Sequence, residues 1–190
     1  ALLFMLAVVI QSSAKDPIKT QNNVWKLVWE DNFEKEGLPN SSIWGYETGY
    51  IRNKEAQYYT QRPENARVEN GKLIIEARKD NWETHSITSA NLNTYGKQSI
   101  LYGRIEVRAK LPTGIGTWPA IWMLGNVHRE GVKWPACGEI DIMENVGFNP
   151  DVVHANIHTK SYNHSIGTGK GDKIKTEKPY NDFHVYAMEW

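Results

Sequence analysis

Three carboxylates crowd the segment Gly138-Glu139-Ile140-Asp141-Ile142-Met143-Glu144-Asn145. Glu139 and Asp141 are two apart, so on a β-strand they share one face while Ile140 and Ile142 take the other. Strict alternation would then bury Glu144 with the isoleucines, where an unpaired carboxylate is costly, and leave Met143 beside the acids. One extra residue near Ile142-Met143, a β-bulge, shifts the phase and returns Glu144 to the acidic face. The expectation is three carboxylates in a row along one strand, facing a cleft.

Such a row has few chemical uses. Glycoside hydrolysis employs paired carboxylates, one as nucleophile or base and one as proton donor, and a middle acid can help hold a neighbour protonated. A divalent-cation site is a second use, although ligands set in a line wrap a cation poorly. A solvated acidic edge is the third, and against it stand the flanking Ile140, Ile142 and Met143. Residue types alone leave all three open.

The elements that must position these acids are short β-type runs separated by turn chemistry. Val24–Trp29 is one run. Lys72–Arg78 is another, launched by the Glu69-Asn70-Gly71 turn, and Phe183–Trp190 also reads as a strand. In Gly103–Leu111 the residues Ile105, Val107, Ala109 and Leu111 alternate with charged ones, a period of two. Glycine-rich clusters at Pro112–Gly116 and Gly167–Gly171 punctuate the runs. Long helical periodicity is absent, so the fold class is all-β, a two-sheet antiparallel sandwich.

Around the acids, His154, Asn156 and His158 alternate with Ala155 and Ile157 beyond a turn containing Gly147, Asn149 and Pro150. A hairpin would set that polar face beside the carboxylates. Trp118 and Trp134 each precede a proline near a turn and suit stacking on sugar rings. Trp122 lies in an apolar run and fits core and cleft equally. Cys137 has no base placed beside it and reads as a buried thiol.

Composition narrows the classes. In 190 residues, 22 basic and 22 acidic side chains cancel, which argues against a nucleic-acid partner. A single cysteine excludes an intramolecular disulfide framework and any Cys-rich zinc site. Ala1–Ile10 is wholly apolar, too short to span a bilayer but suited to a signal-peptide core, with Ser12 and Ala14 placed for cleavage after Ala14. Residues 1–14 are therefore expected to be a removable export signal and 15–190 one domain, secreted or periplasmic, with no membrane association once mature.

The blocks Trp118–Gly125 and Trp134–Glu144 together resemble glycoside hydrolase family 16, and within it the laminarinase-type endo-β-1,3-glucanases. Leu27–Phe33, Asn53–Thr60 and Tyr102–Lys110 continue the likeness in family order, from about residue 24 to the last residue. The resemblance implies a concanavalin-like jelly roll with a concave substrate cleft and a retaining double displacement. It implies Glu139 as nucleophile, Glu144 as acid/base and Asp141 between them as the residue that tunes protonation. It also implies sugar binding by Asn53 and a cleft role for His158.

The five-residue spacing from Glu139 to Glu144 matches the family's bulged branch rather than its lichenases and xyloglucan transferases. Asp31-Asn32-Phe33 departs from the family's usual Asp-Glu-Phe, near which some members hold calcium. No cofactor is required and no catalytic metal is expected, while a structural calcium stays open but unsupported. The expected partner is a β-glucan polysaccharide, laminarin-like or mixed β-1,3/1,4, met by a monomer. A non-catalytic carbohydrate-binding module and an agarase- or carrageenase-like enzyme remain the alternatives. Family domains continue past this point with further strands, so the resemblance implies that the domain is incomplete at its C-terminus.

Overall fold

A computed structural model of the chain describes the backbone of residues 6–9 and the whole of residues 25–190. In chain order its strands are β1 (Leu6–Val9), β2 (Gly45–Glu47), β3 (Tyr58–Tyr59), β4 (Ala66–Glu69), β5 (Lys72–Ile75), β6 (Thr88–Ser89) and β7 (Asn91–Asn93). They continue with β8 (Arg104–Lys110), β9 (Ala120–Leu124), β10 (Glu139–Asn145), β11 (Val152–His158), β12 (Lys170–Lys175) and β13 (His184–Glu189). Single 3-10 turns form at Asn126–His128 and His164–Ile166. One sheet runs β13-β8-β1-β5-β4 and another β12-β11-β10-β9, with small ladders β2–β7 and β3–β6. The expected all-β, antiparallel class is what forms; only the β3–β6 ladder is described as parallel.

Local chemistry explains the elements. Asn70 and Gly71 both take left-handed backbone, at φ 53° and 69°, the tight turn whose twist matches a hairpin, and β4 and β5 pair across it from Glu69 and Lys72 outward. In β8 the period-two pattern delivers Val107 and Ala109 to the interior, followed by Leu111, while Arg104 turns outward to Glu106 and Glu189. The Val24–Trp29 expectation fails over its described part. Trp25–Trp29 joins no ladder and Val28 is 81 % exposed. A strand needs a neighbouring backbone as well as apolar residues, and this segment is anchored through rings instead, Trp29 packing edge-on against Trp44. Gly167 does end a turn, at φ 70°, but Lys170 and Gly171 of the expected turn cluster already belong to β12.

Leu6–Val9, inside the expected export signal, pairs as β1 with Leu73–Ile75 of β5. Ser12, Ala14 and the cleavage position lie outside the described residues.

The chain divides into two compact units, residues 1–109 with 187–190, and residues 110–186. The first has an apolar core that includes Val68, Leu73, Ile74 and Val107, beside a buried polar cluster. There the Asn65 Nδ2 donates to the Glu76 carbonyl and to Thr88, and the buried Glu76 carboxylate is ion-paired with Arg67 and Arg78, so Asn65 and Glu76 both have partners. The second unit is built on the β9–β12 sheet, with Leu111, Ile142, Met143 and Val153 buried.

Candidate active site

The acidic strand β10 lies between β9 and β11. Glu139 faces Leu124 on one side and His158 on the other, and Asp141 faces Trp122 and Asn156. The register then slips: beyond Ile142 and Met143, Glu144 faces Ala120 and His154. Consecutive residues of a regular strand point to opposite faces, yet Ile142 and Met143 are both buried, Met143 completely. The expected bulge is therefore present and lies at these two residues, with Glu144 back on the face of Glu139 and Asp141.

Each acid has its own surroundings. Glu144 accepts two neutral hydrogen bonds, Oε1 from Trp118 Nε1 and Oε2 from Asn156 Nδ2, both at 2.9 Å. His158 Nε2 lies 3.2 Å from Asp141 Oδ2 and 3.9 Å from Glu139 Oε1. A ring nitrogen facing two carboxylates carries its hydrogen toward them. Asp141 is buried, and its pKa is pushed up to about 7, first by burial and then by the charges of Glu139 and Glu144, with His158 acting against them. Near neutrality the middle acid thus retains a proton for part of the time. Glu139, Asp141 and His158 offer ligand atoms within 4.8 Å of one another, enough for a cation. A carboxyl that holds a proton competes with such an ion.

Glu139, Asp141, Glu144, Trp118, Trp134 and His158 all belong to the second unit, where contacts join them. Trp134 packs its ring 5.7 Å from that of His158, and Trp118 is exposed apart from its bond to Glu144. Asn53 belongs to the first unit, on an exposed loop with φ 54°. An open cavity of about 1010 Å³ also lies in that unit, lined by Asp31, Phe33, Trp44 and Tyr46 among others, and contains none of the expected site residues. Asp31 is engaged there by Phe33 N and by Trp44 Nε1. Cys137 is buried, which pushes its thiol pKa up, against a nucleophilic role.

The structure adds residues that sequence reasoning had not assigned. Trp122, undecided between core and cleft, stands directly across from Asp141. Its parity with Trp118 and Ala120 was the available signal. Asn156, seen only as part of a polar face, is a direct partner of Glu144. His164 packs against both Trp134 and His158, and only the path of its loop brings it there.

Acids ranked along a bulged strand of an all-β chain, one fixed by neutral donors and one keeping a proton, point to the carboxylate glycosidases. Similarity agrees. Residues 53–190 match the family described as glycosyl hydrolases family 16. A β-glucanase of Rhodothermus marinus is 52 % identical over 192 residues, covering 98 % of this chain and 67 % of that protein. The glucan endo-1,3-β-glucosidase A1 of Niallia circulans is 39 % identical over 86 % of this chain and 26 % of its own length. The X-ray structure of the Rhodothermus marinus laminarinase superposes with a TM-score of 0.84 at 55 % identity, covering 88 % of this chain and 68 % of that one. The chain belongs to glycosyl hydrolases family 16, and its fold is the β jelly roll of that family's laminarinase structures.

Proposed function

We propose that this chain forms an endo-acting, retaining glycoside hydrolase that cleaves β-1,3-glucan of the laminarin type or mixed β-1,3/1,4-glucan. The observation that carries this reading is the bulge, which lines Glu139 and Glu144 on one face with a proton-holding Asp141 between them. In the first half-reaction a Glu139 oxygen attacks the anomeric carbon as Glu144 gives its proton to the glycosidic oxygen, releasing the shortened chain. In the second, Glu144 takes a proton from water, which attacks the same carbon and frees Glu139. Asp141, protonated, stabilises the charge on Glu139 before attack and after release. The chemistry closes on these side chains without metal or cofactor.

Trp118 and Trp134 offer ring faces to the C–H surfaces of glucose, and His158 steadies the Glu139 end. A polymer too large to enter a cell requires export, which fits a secreted or periplasmic monomer. The assembled acids also favour an enzyme over a module that only binds sugar, since binding alone does not use three aligned carboxylates.

The test is substitution with chemical rescue. Glu139→Ala and Glu144→Ala should each abolish release of reducing sugar from laminarin, while azide should restore cleavage of an activated aryl glycoside by Glu144→Ala alone. Substantial laminarin turnover by either variant would overturn the assignment. Equal activity of the unaltered chain on agarose or carrageenan would overturn the substrate.

A further inference from the structure

The loop between β11 and β12 carries an imidazole for which the proposed reaction has no use. Asn163 is buried there; its Oδ1 accepts from Ser165 N at 3.1 Å and from Ser165 Oγ, and its Nδ2 donates to the Thr159 carbonyl at 3.1 Å. This cap and the left-handed Gly167 hold the turn His164–Ile166 at both ends. The His164 ring, on the exposed turn, lies 5.0 Å from Trp134 and meets His158 edge-on at 5.3 Å and 85°. His158 in turn reaches Asp141 and Glu139. Three rings thus make a corner next to the nucleophile end of the acidic row. Among the described residues neither ring nitrogen of His164 has a protein hydrogen-bond partner. A rigidly held ring whose packing is satisfied and whose polar edge is free is arranged to meet a ligand.

We propose that His164 is a substrate-binding residue, hydrogen-bonding hydroxyls of the glucosyl unit that stacks on Trp134. This rests on the glucanase reading above. A sugar presents hydroxyls around its rim and C–H groups on its faces, so an aromatic face beside a free imidazole edge recognises both.

Steady-state kinetics on laminarin with His164→Ala, His164→Phe and His164→Gln test this, with thermal melts of each variant. His164→Phe keeps a ring against Trp134 and His158 but has no donor or acceptor; His164→Gln keeps both. The expected result is a KM raised about fivefold to tenfold in the Ala and Phe variants, the worth of one neutral hydrogen bond, with kcat changed less than about threefold. His164→Gln should recover much of the loss. A wild-type KM in His164→Phe, or a loss in all three that follows a fall in melting temperature, would overturn the proposal. Failure of the unaltered chain to cleave laminarin would instead overturn the reading on which it rests.

Discussion

Asp141 shows how much one side chain draws from its neighbours. Its carboxyl is raised from 3.8 to about 7 by burial and by Glu139 and Glu144. Between roughly pH 4 and 7 the folded chain keeps a proton that the unfolded chain releases, so folding stability falls as pH rises through this window and levels off above it. Asp141→Asn keeps the shape without the titration, and its stability should be flatter across the window. Thermal melts at pH 4.5 and 7.5 check this: the unaltered protein should lose more between the two than the variant, and equal losses would refute the assignment. At the other end of the row, Asn156→Ala removes one of the two donors on Glu144. A typical hydrogen bond contributes about 0.5–1.5 kcal/mol, so kcat/KM on laminarin should fall about threefold to tenfold. An unchanged value would mean that Trp118 alone holds the carboxylate.

At the scale of the element, the bulge and the β11–β12 pairing decide where Glu144 points. Deleting Met143 changes the spacing from five residues to four, and a regular strand still puts Glu144 on the acidic face. Some hydrolysis should survive despite the lost core packing, whereas adding one glycine after Met143 should turn Glu144 inward and eliminate it. Reducing-sugar assays on the two variants distinguish them, and activity in the insertion variant would contradict the phase argument. Gly171 sits opposite Asn156 on β12, and a Cβ there would come within 2.1 Å of Asn156 Oδ1 and 2.6 Å of the Ala155 carbonyl. Gly171→Ala must therefore displace both the Asn156 side chain and the Ala155 carbonyl of β11, disturbing the Asn156–Glu144 hydrogen bond. Its kcat/KM should fall at least as far as that of Asn156→Ala, and the double variant should fall short of the sum, since both disturb the hydrogen bond of Asn156 to Glu144. Full additivity would show that the glycine acts elsewhere.

For the molecule as a whole, the core and the net charge set the conditions under which the site exists. Leu73 is 1 % exposed in β5, and Leu73→Ala should cost about 2–5 kcal/mol of stability, read as a lower urea midpoint. With 22 charges of each sign and a pI near 7.2, electrostatic repulsion between copies vanishes close to neutrality. Exposed Val28, Phe148 and Ile174 then interact unopposed. Light scattering at low salt should find the strongest mutual attraction near pH 7 and repulsion at pH 5 and 9, a trend that a flat profile would contradict.

Much of this was legible beforehand, because a strand's period of two is a local rule. The acids at 139, 141 and 144, read with the apolar residues between them, called for a bulge, and the polar parity of His154, Asn156 and His158 called for a hairpin that brings His158 to Asp141. Other features depended on partners distant in sequence. Trp25–Trp29 has strand-like residues but joins no ladder among the described residues. Trp122 could be assigned to the acidic face only once β9 was registered against β10. His164 reaches Trp134 through a loop whose course depends on the buried Asn163, and Gly171 matters only because β12 brings it against Asn156. The all-β class, the family resemblance and the phase of the acidic strand are properties of neighbours along the chain, and so could be read from residue order. Which side chains hold Glu144, and which rings gather beside Asp141, the tertiary structure alone decided, because hydrogen bonds and ring packing depend on distances across strands that no local pattern encodes.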